Sequence, residues 1–466
     1  MSRIFLKNQS FTLFVLIFFL FSSTLTFAQI GINSDNSVPD PSAMLDVKST
    51  TKGFLTPRMT EQERDAISDP ATSLLIYQTD GTSGYYYNNG TPSAPDWVRI
   101  GNDESSPICD SRIPIEDMGY FANLNGRFTD YLINQSGSYY LTGNLGQSQN
   151  NATAIVIDSD NVTLDLNGFS ITADIGGSGA DGIYVRLEQV NITIKNGIVS
   201  GWPADGIDAR DVDNSLFHDL IISDNGEDAL FMKSHNTVID CIANSNGEDG
   251  FSGLNSCNYI RCIAYDNGSN GFESYGGSQF INCNAESNAF DGIEGRTYTM
   301  ALGCVANSNG GDGINVGSRS SVLYCNTYDN EGSGIQAQSN VKVAFCETTI
   351  NDEDGITMTG TGGVLFQNVS HFNDGAGINC TNTTTCDFLI EGNHFTANKT
   401  DGLVIASAGA FVIRNTSANN TNTSQGNSNG FELPAGTNFG PILTVTSGGD
   451  LSTILNGDHP YANFEY

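Results

Sequence analysis

Between Asn225 and Ile356 three residue types keep one beat. Cysteine stands at 241, 262, 283, 304, 325 and 346, and asparagine at 225, 246, 267, 288, 309, 330 and 351. Glycine takes the same step of 21 at 250, 271, 292, 313, 334 and 355. A fixed period of this size restricts the chain to a stack of like units, each burying its apolar side only against its neighbours. Each glycine is followed by an apolar residue (Phe251, Phe272, Ile293, Ile314, Ile335, Ile356), and most are preceded by an acid or amide (Asp249, Asn270, Asp291, Asp312, Asp354). β-Branched and aromatic residues precede each cysteine, and small ones (Ala243, Ala264, Ala285, Ala306) stand two past it. No segment of the block has helical 3,4,7 periodicity. The units therefore read as short strands between Asn/Asp/Gly turns, stacked in parallel about 4.8 Å apart.

The pattern resembles the right-handed parallel β-helix of pectin-lyase-like proteins and of the NosD-like β-helix domain. Gly137–Leu145, Asn161–Gly168 and Asn196-Gly197 resemble the first coils of such proteins. The resemblance implies an all-β, right-handed parallel β-helix over residues 136–445, with about twelve coils and a length of about 55–60 Å. It implies no single activity, because this fold carries lyases, hydrolases, epimerases, adhesins and tailspikes. The asparagines read as an inward amide ladder. The cysteines read as a buried column of free thiols, since in-register strands hold Cβ atoms too far apart for disulfides. If a disulfide forms, Cys380–Cys386 is the pair expected, as a loop clip.

Arg3 and Lys7, the apolar run Phe11–Phe21 and Thr26-Phe27-Ala28 read as a secretory signal peptide over 1–28. The expected place is therefore secreted or at the cell surface, with no later membrane span. Residues 29–105 have another texture, with a short helix near Glu61–Ile67 and strands at Ser73–Tyr77 and Trp97–Ile100. They resemble the amino-terminal module of many exported Bacteroidetes surface proteins, which implies an attachment or oligomerisation role. Residues 106–135 read as connector and amino-terminal cap, and 446–466 as carboxy-terminal cap. With 19 Lys+Arg against 52 Asp+Glu, a formal charge of −33, nucleic acid is excluded as a partner.

Function is sought where chemistry interrupts the repeat. Alternation places positions +2 and +4 after each glycine outward. Position +2 carries Tyr184, Asp208, Phe231, Glu273 and Glu294; position +4 carries Arg186, Arg210, Lys233, Tyr275 and Arg296. Interleaved aromatics, bases and carboxylates suit a sugar-binding groove. The leading expectation is an exported protein that binds a polysaccharide or cell-surface glycan without catalysis. The alternative is a polysaccharide lyase or glycoside hydrolase in which Glu273, Glu294 and Arg296 are catalytic. Tyr184, Arg186, Asp208, Arg210, Phe231, Lys233 and Tyr275 are then the substrate-binding set. No cofactor is required, and Ca²⁺ held by Asp residues is allowed for. The polygalacturonase motifs Gly-His-Gly and Arg-Ile-Lys and the epimerase Asp-Pro-His are missing, and His218, His235, His371, His394 and His459 form no column. A NosD-like accessory role lacks its copper-ligand cluster of Met and His. Asp249, Asp291, Asp312 and Asp354 read as turn residues before glycine.

Overall fold

The computed structural model describes residues 29–100, 112–118, 128–146, 152–173, 180–421, 430–444 and 459–465. The leader expected over 1–28 and Cys109 lie outside the described residues. The chain divides at Cys109/Asp110 into two compact units.

In the first unit, Leu75–Gln78 pairs antiparallel with Gly84–Asn88, which pairs with Trp97–Ile100. Arg58–Met59 joins the first of these in parallel. The one α-helix among the described residues, Glu61–Asp65, starts in a capping box between Thr60 and Glu63. Its Arg64 is buried against the ring of Tyr86 and donates to Gln78 at 2.6 Å. No helix among the described residues is long and apolar enough to cross a membrane.

The second unit is a parallel solenoid. One side is a fourteen-stranded sheet running from Phe128–Ile133 to Phe431–Glu432, and the other sides share a 28-stranded sheet. Fourteen strands mean more coils than the twelve expected. The first of them, Phe128–Ile133, comes from the stretch read as connector and cap and pairs with Ala152–Ile157. Register follows the sequence beat: Ile293 pairs with Ile314, Ile314 with Ile335 and Ile335 with Ile356. At the far end Asn463–Glu465 pairs with Ile442–Thr444 and Thr416–Ala418, so the tail closes onto the stack.

Three columns explain the beat. Asparagines 225, 246, 267, 288, 309, 330 and 351 are buried, each side-chain N–H donating to the next coil's Oδ1 at 2.8–2.9 Å. The ladder continues through Asn373, Asn398 and Asn420. The six cysteines are buried and free, each donating to a carbonyl. Where they end, Asn368 takes over the column, accepting from the Cys346 backbone and starting a second amide ladder to Asn393 and Asn415. Glycine keeps its place by close approach: a Cβ on Gly292 would lie 2.6 Å from the Gly313 carbonyl and 2.7 Å from Asn309 Nδ2. The expected Cys380–Cys386 clip is not formed. Both thiols are free, and Cys386 Sγ donates instead to the Asn382 carbonyl at 3.2 Å.

Candidate functional site

Alternation puts one outward residue of each fourteen-stranded-sheet strand in a single file. Tyr184 pairs with Asp208, Asp208 with Phe231, Phe231 with Ser252 and Ser252 with Glu273. Glu273 pairs with Glu294, and Asn315 and Gln336 follow. Tyr275 and Arg296 stand two residues along from these glutamates on the same strands, Phe272–Gly276 and Ile293–Thr297. The structure thus assembles Glu273, Glu294, Arg296 and Tyr275. Asp208, expected outward, is 2% exposed.

The basic residues are not a free cationic patch. Arg186 pairs with Asp158 at 2.5 Å, and Lys233 with Asp213 at 3.0 Å. Arg210 reaches both Asp205 and Asp208 at 2.8 Å. Arg296 sits more loosely, 3.7 Å from Glu273 and 3.9 Å from Glu294. The two aromatic platforms carry guanidinium groups. Arg210 lies 4.8 Å from the Phe231 ring centroid and Arg296 lies 4.3 Å from that of Tyr275, so an arginine occupies one side of each ring. Phe231 and Tyr275 also belong to different files, +2 and +4, and do not form one track.

Sequence reasoning missed what stands behind the outward file. The residues before the glycines are buried or half-buried braces rather than simple turn formers. Asp291 Oδ1 accepts the backbone N–H of Asp312 at 2.7 Å, while its Oδ2 accepts from the Asn315 amide at 2.9 Å. Asp312 does the same for Ser333 and Gln336, both at 2.7 Å, and Asp354 for Ala376 and Asn379 at 2.7 and 2.8 Å. At Asn270 the roles swap, its amide donating to Glu294 at 3.3 Å. Each brace reaches an outward residue 24 or 25 positions later, on the next coil.

One brace meets an acid. Asp249 faces Glu273, and the Glu273 carboxyl is pushed up to about 7, first by burial and then by Asp249, with which it shares a hydrogen bond; Glu294 adds to this and Arg296 opposes it. Two carboxyls in contact share a proton. Burial also raises Glu294, with Asp291 adding and Arg296 opposing. Beside this acid pair opens a groove of about 420 Å³, lined by Glu294, Arg296, Asn315, Gln336, Gln338 and Thr359 among others. Gly317 also lines it, and there the coils approach so closely that a Cβ would lie 2.7 Å from the Arg296 carbonyl carbon.

The carboxylates of Asp181, Asp205 and Asp208 are buried, with oxygens within 4.8 Å of one another. Such a donor set suits a hard cation. Arg210 already binds two of the three, however, so a Ca²⁺ ion there would compete with the guanidinium.

A comparison with curated protein sequences found no match. Among solved structures, the Azotobacter vinelandii mannuronan C-5 epimerase AlgE6 A-module is similar at 18% identity, over 70% of this chain and 97% of that one, with TM-score 0.46. The AlgE4 A-module of the same organism is similar at 15% identity, over 70% and 99%, with TM-score 0.47. The Dettilon tailspike protein gp208 is similar at 15% identity, over 66% and 60%, with TM-score 0.35. Likenesses this distant carry nothing about chemistry. Residues 31–111 match the phage tail like trimerisation region. Residues 132–290 and 292–439, well over half of the chain, match the right handed beta helix region. With the parallel in-register coils and their amide ladders, that match makes this chain a member of the right-handed β-helix family.

Proposed function

We propose that this is an exported surface protein that binds a polysaccharide along the outward file of its fourteen-stranded sheet. One observation carries the reading: in the groove, the outward amides Asn315 and Gln336 are each held from behind by an aspartate of the preceding coil, half-buried Asp291 and buried Asp312. Amides fixed in this way lose little freedom on binding, and both line the groove, where their remaining donors and acceptors would match sugar hydroxyls. Successive coils repeat the groups about 4.8 Å apart, a spacing suited to a repeating chain laid along the axis. The apolar leader over 1–28 supports export. The test is affinity electrophoresis against a panel of neutral and acidic polysaccharides. At least one glycan should retard the parent, and Gln336→Ala should abolish that retardation. If the parent migrates freely through every gel, the reading is wrong.

A second reading, hydrolysis, is favoured by the Asp249–Glu273 pair. A general acid must hold a proton near neutral pH, which burial and a neighbouring carboxylate achieve. Glu294, on the adjacent strand, is then the second carboxyl of the pair that glycoside hydrolysis needs. Reducing ends released by the parent and lost in Glu273→Gln, with binding kept, would establish it.

A further inference from the structure

Away from the groove, the 28-stranded sheet carries a file of outward apolar side chains. Ile239, Ile260, Ile281, Leu302, Leu323, Ala344 and Phe366 pair in register, one per coil. All but Ala344 are partly exposed. The file holds no charge over these coils; it ends at His218 on one side and Glu391 on the other.

A second observation falls beside it. The next corner residue is held at positive φ in coil after coil, by Asp240, Arg261, Asn282 and Gly303. Two coils instead place Tyr324 (φ 56°) and Phe345 (φ 59°) there, 59% and 37% exposed, with rings stacked 4.8 Å apart. Bulky residues rarely adopt this conformation, and here no core burial offsets the strain. Tyr298, Ile350 and Phe372 are also exposed at positive φ at other corners, so what this pair adds to the stripe is its exposed, stacked apolar surface.

We propose that this stripe is where the solenoids of neighbouring copies of this chain pack side by side in a three-copy assembly. The occupant follows from three facts. Residues 31–111 match a trimerisation region, so copies tethered through it would meet at high effective concentration. Each copy carries a formal charge of −33, so copies can approach closely only through an uncharged strip. The stripe runs parallel to the stacking direction over seven coils and offers no hydrogen-bonding side chain, which suits a second solenoid and not a glycan.

The test uses the full chain. Leu302→Cys and Ile281→Cys are made singly, with Asn315→Cys on the opposite sheet as control, and each is treated at low micromolar concentration with a short bismaleimide. The native cysteines among the described residues are buried, so the parent sets the background. We expect a trimer by sedimentation equilibrium, covalent dimers from the two stripe variants only (one thiol per copy allows one link), and at least tenfold less product when Leu323→Asp is added. A monomeric or dimeric parent would overturn the proposal, as would a trimer whose stripe thiols never cross-link. Protection of those thiols that appears only when polysaccharide is added would assign the stripe to a glycan and also overturn it.

Discussion

Asp312 holds Gln336 from one coil below: its Oδ2 accepts the Gln336 side-chain N–H at 2.7 Å, while its other oxygen takes the Ser333 backbone N–H at 2.7 Å. The pair joins the buried frame to the outward file. Asp312→Ala removes the acceptor for both donors and should cost about 1–3 kcal/mol of stability. It should also weaken glycan binding as much as Gln336→Ala does, though Asp312 is at the rim of burial and touches no ligand. Denaturant titration and glycan titration read the two effects separately. An Asp312→Ala variant that binds as the parent does would show that Gln336 needs no brace.

The brace column makes stability fall with rising pH. Asp228 is pushed up to about 8, first by burial and then by Asp249 and Asp205. A carboxyl whose folded pKa lies above its unfolded value near 3.8 binds more protons when folded. Its destabilising contribution therefore grows from about pH 4 and levels off above about pH 8. Asp228→Asn keeps the acceptor for the Asp249 backbone N–H, now at 2.8 Å, as Asn270 does for Asp291 in the same column. The gain of the variant over the parent should be larger at pH 8 than at pH 5 by roughly 1 kcal/mol or more. Thermal unfolding across pH 5–8 checks this; parallel curves for parent and variant would refute it.

Asn288 accepts from Asn267 at 2.9 Å and donates to Asn309 at 2.9 Å and to the Ala264 carbonyl at 3.1 Å. Asn288→Ala strands these partners in a buried turn and should cost about 1–3 kcal/mol for each group left unpaired. Equilibrium unfolding in urea gives the number. A loss under about 0.5 kcal/mol would mean that water enters the turn and replaces the amide.

Cys262, Cys283, Cys304 and Cys325 should ignore thiol reagents until the chain is unfolded, because they are at most 1% exposed. Burial first, with Asp219 and Asp240 adding to it, pushes the neighbouring Cys241 up to about 12, away from the reactive thiolate. Titration with an aromatic disulfide reagent, before and after denaturant, measures the accessible count. Fast reaction of the native protein would contradict the buried column.

The solenoid was legible because its determinants recur along the chain: the asparagine, cysteine and glycine files need only counting. The braces were not, because Asp291 acts on Asn315, 24 residues away and one coil on. Inside a single repeat the same aspartate looks like an ordinary turn residue before glycine. Arg210 and Lys233 look available to a ligand in the sequence for a related reason, since Asp205 and Asp213, which pair with them, lie outside positions +2 and +4. The second amide ladder was hidden by irregular spacing. Asn368, Asn393 and Asn415 stand 25 and 22 residues apart, because the late coils differ in length while the stacking does not.

The coil-to-coil bracing also bears on how such a protein can change. Each outward amide depends on the coil before it and on no distant part of the chain. A duplicated unit of 21 residues, inserted between Gly292 and Gly334, would find an aspartate below it and offer one above. Every ladder would close again across the junction. The groove could then lengthen by whole steps of about 4.8 Å, and a single crossover within the repeat could retune the span of chain it accommodates without redesigning any contact.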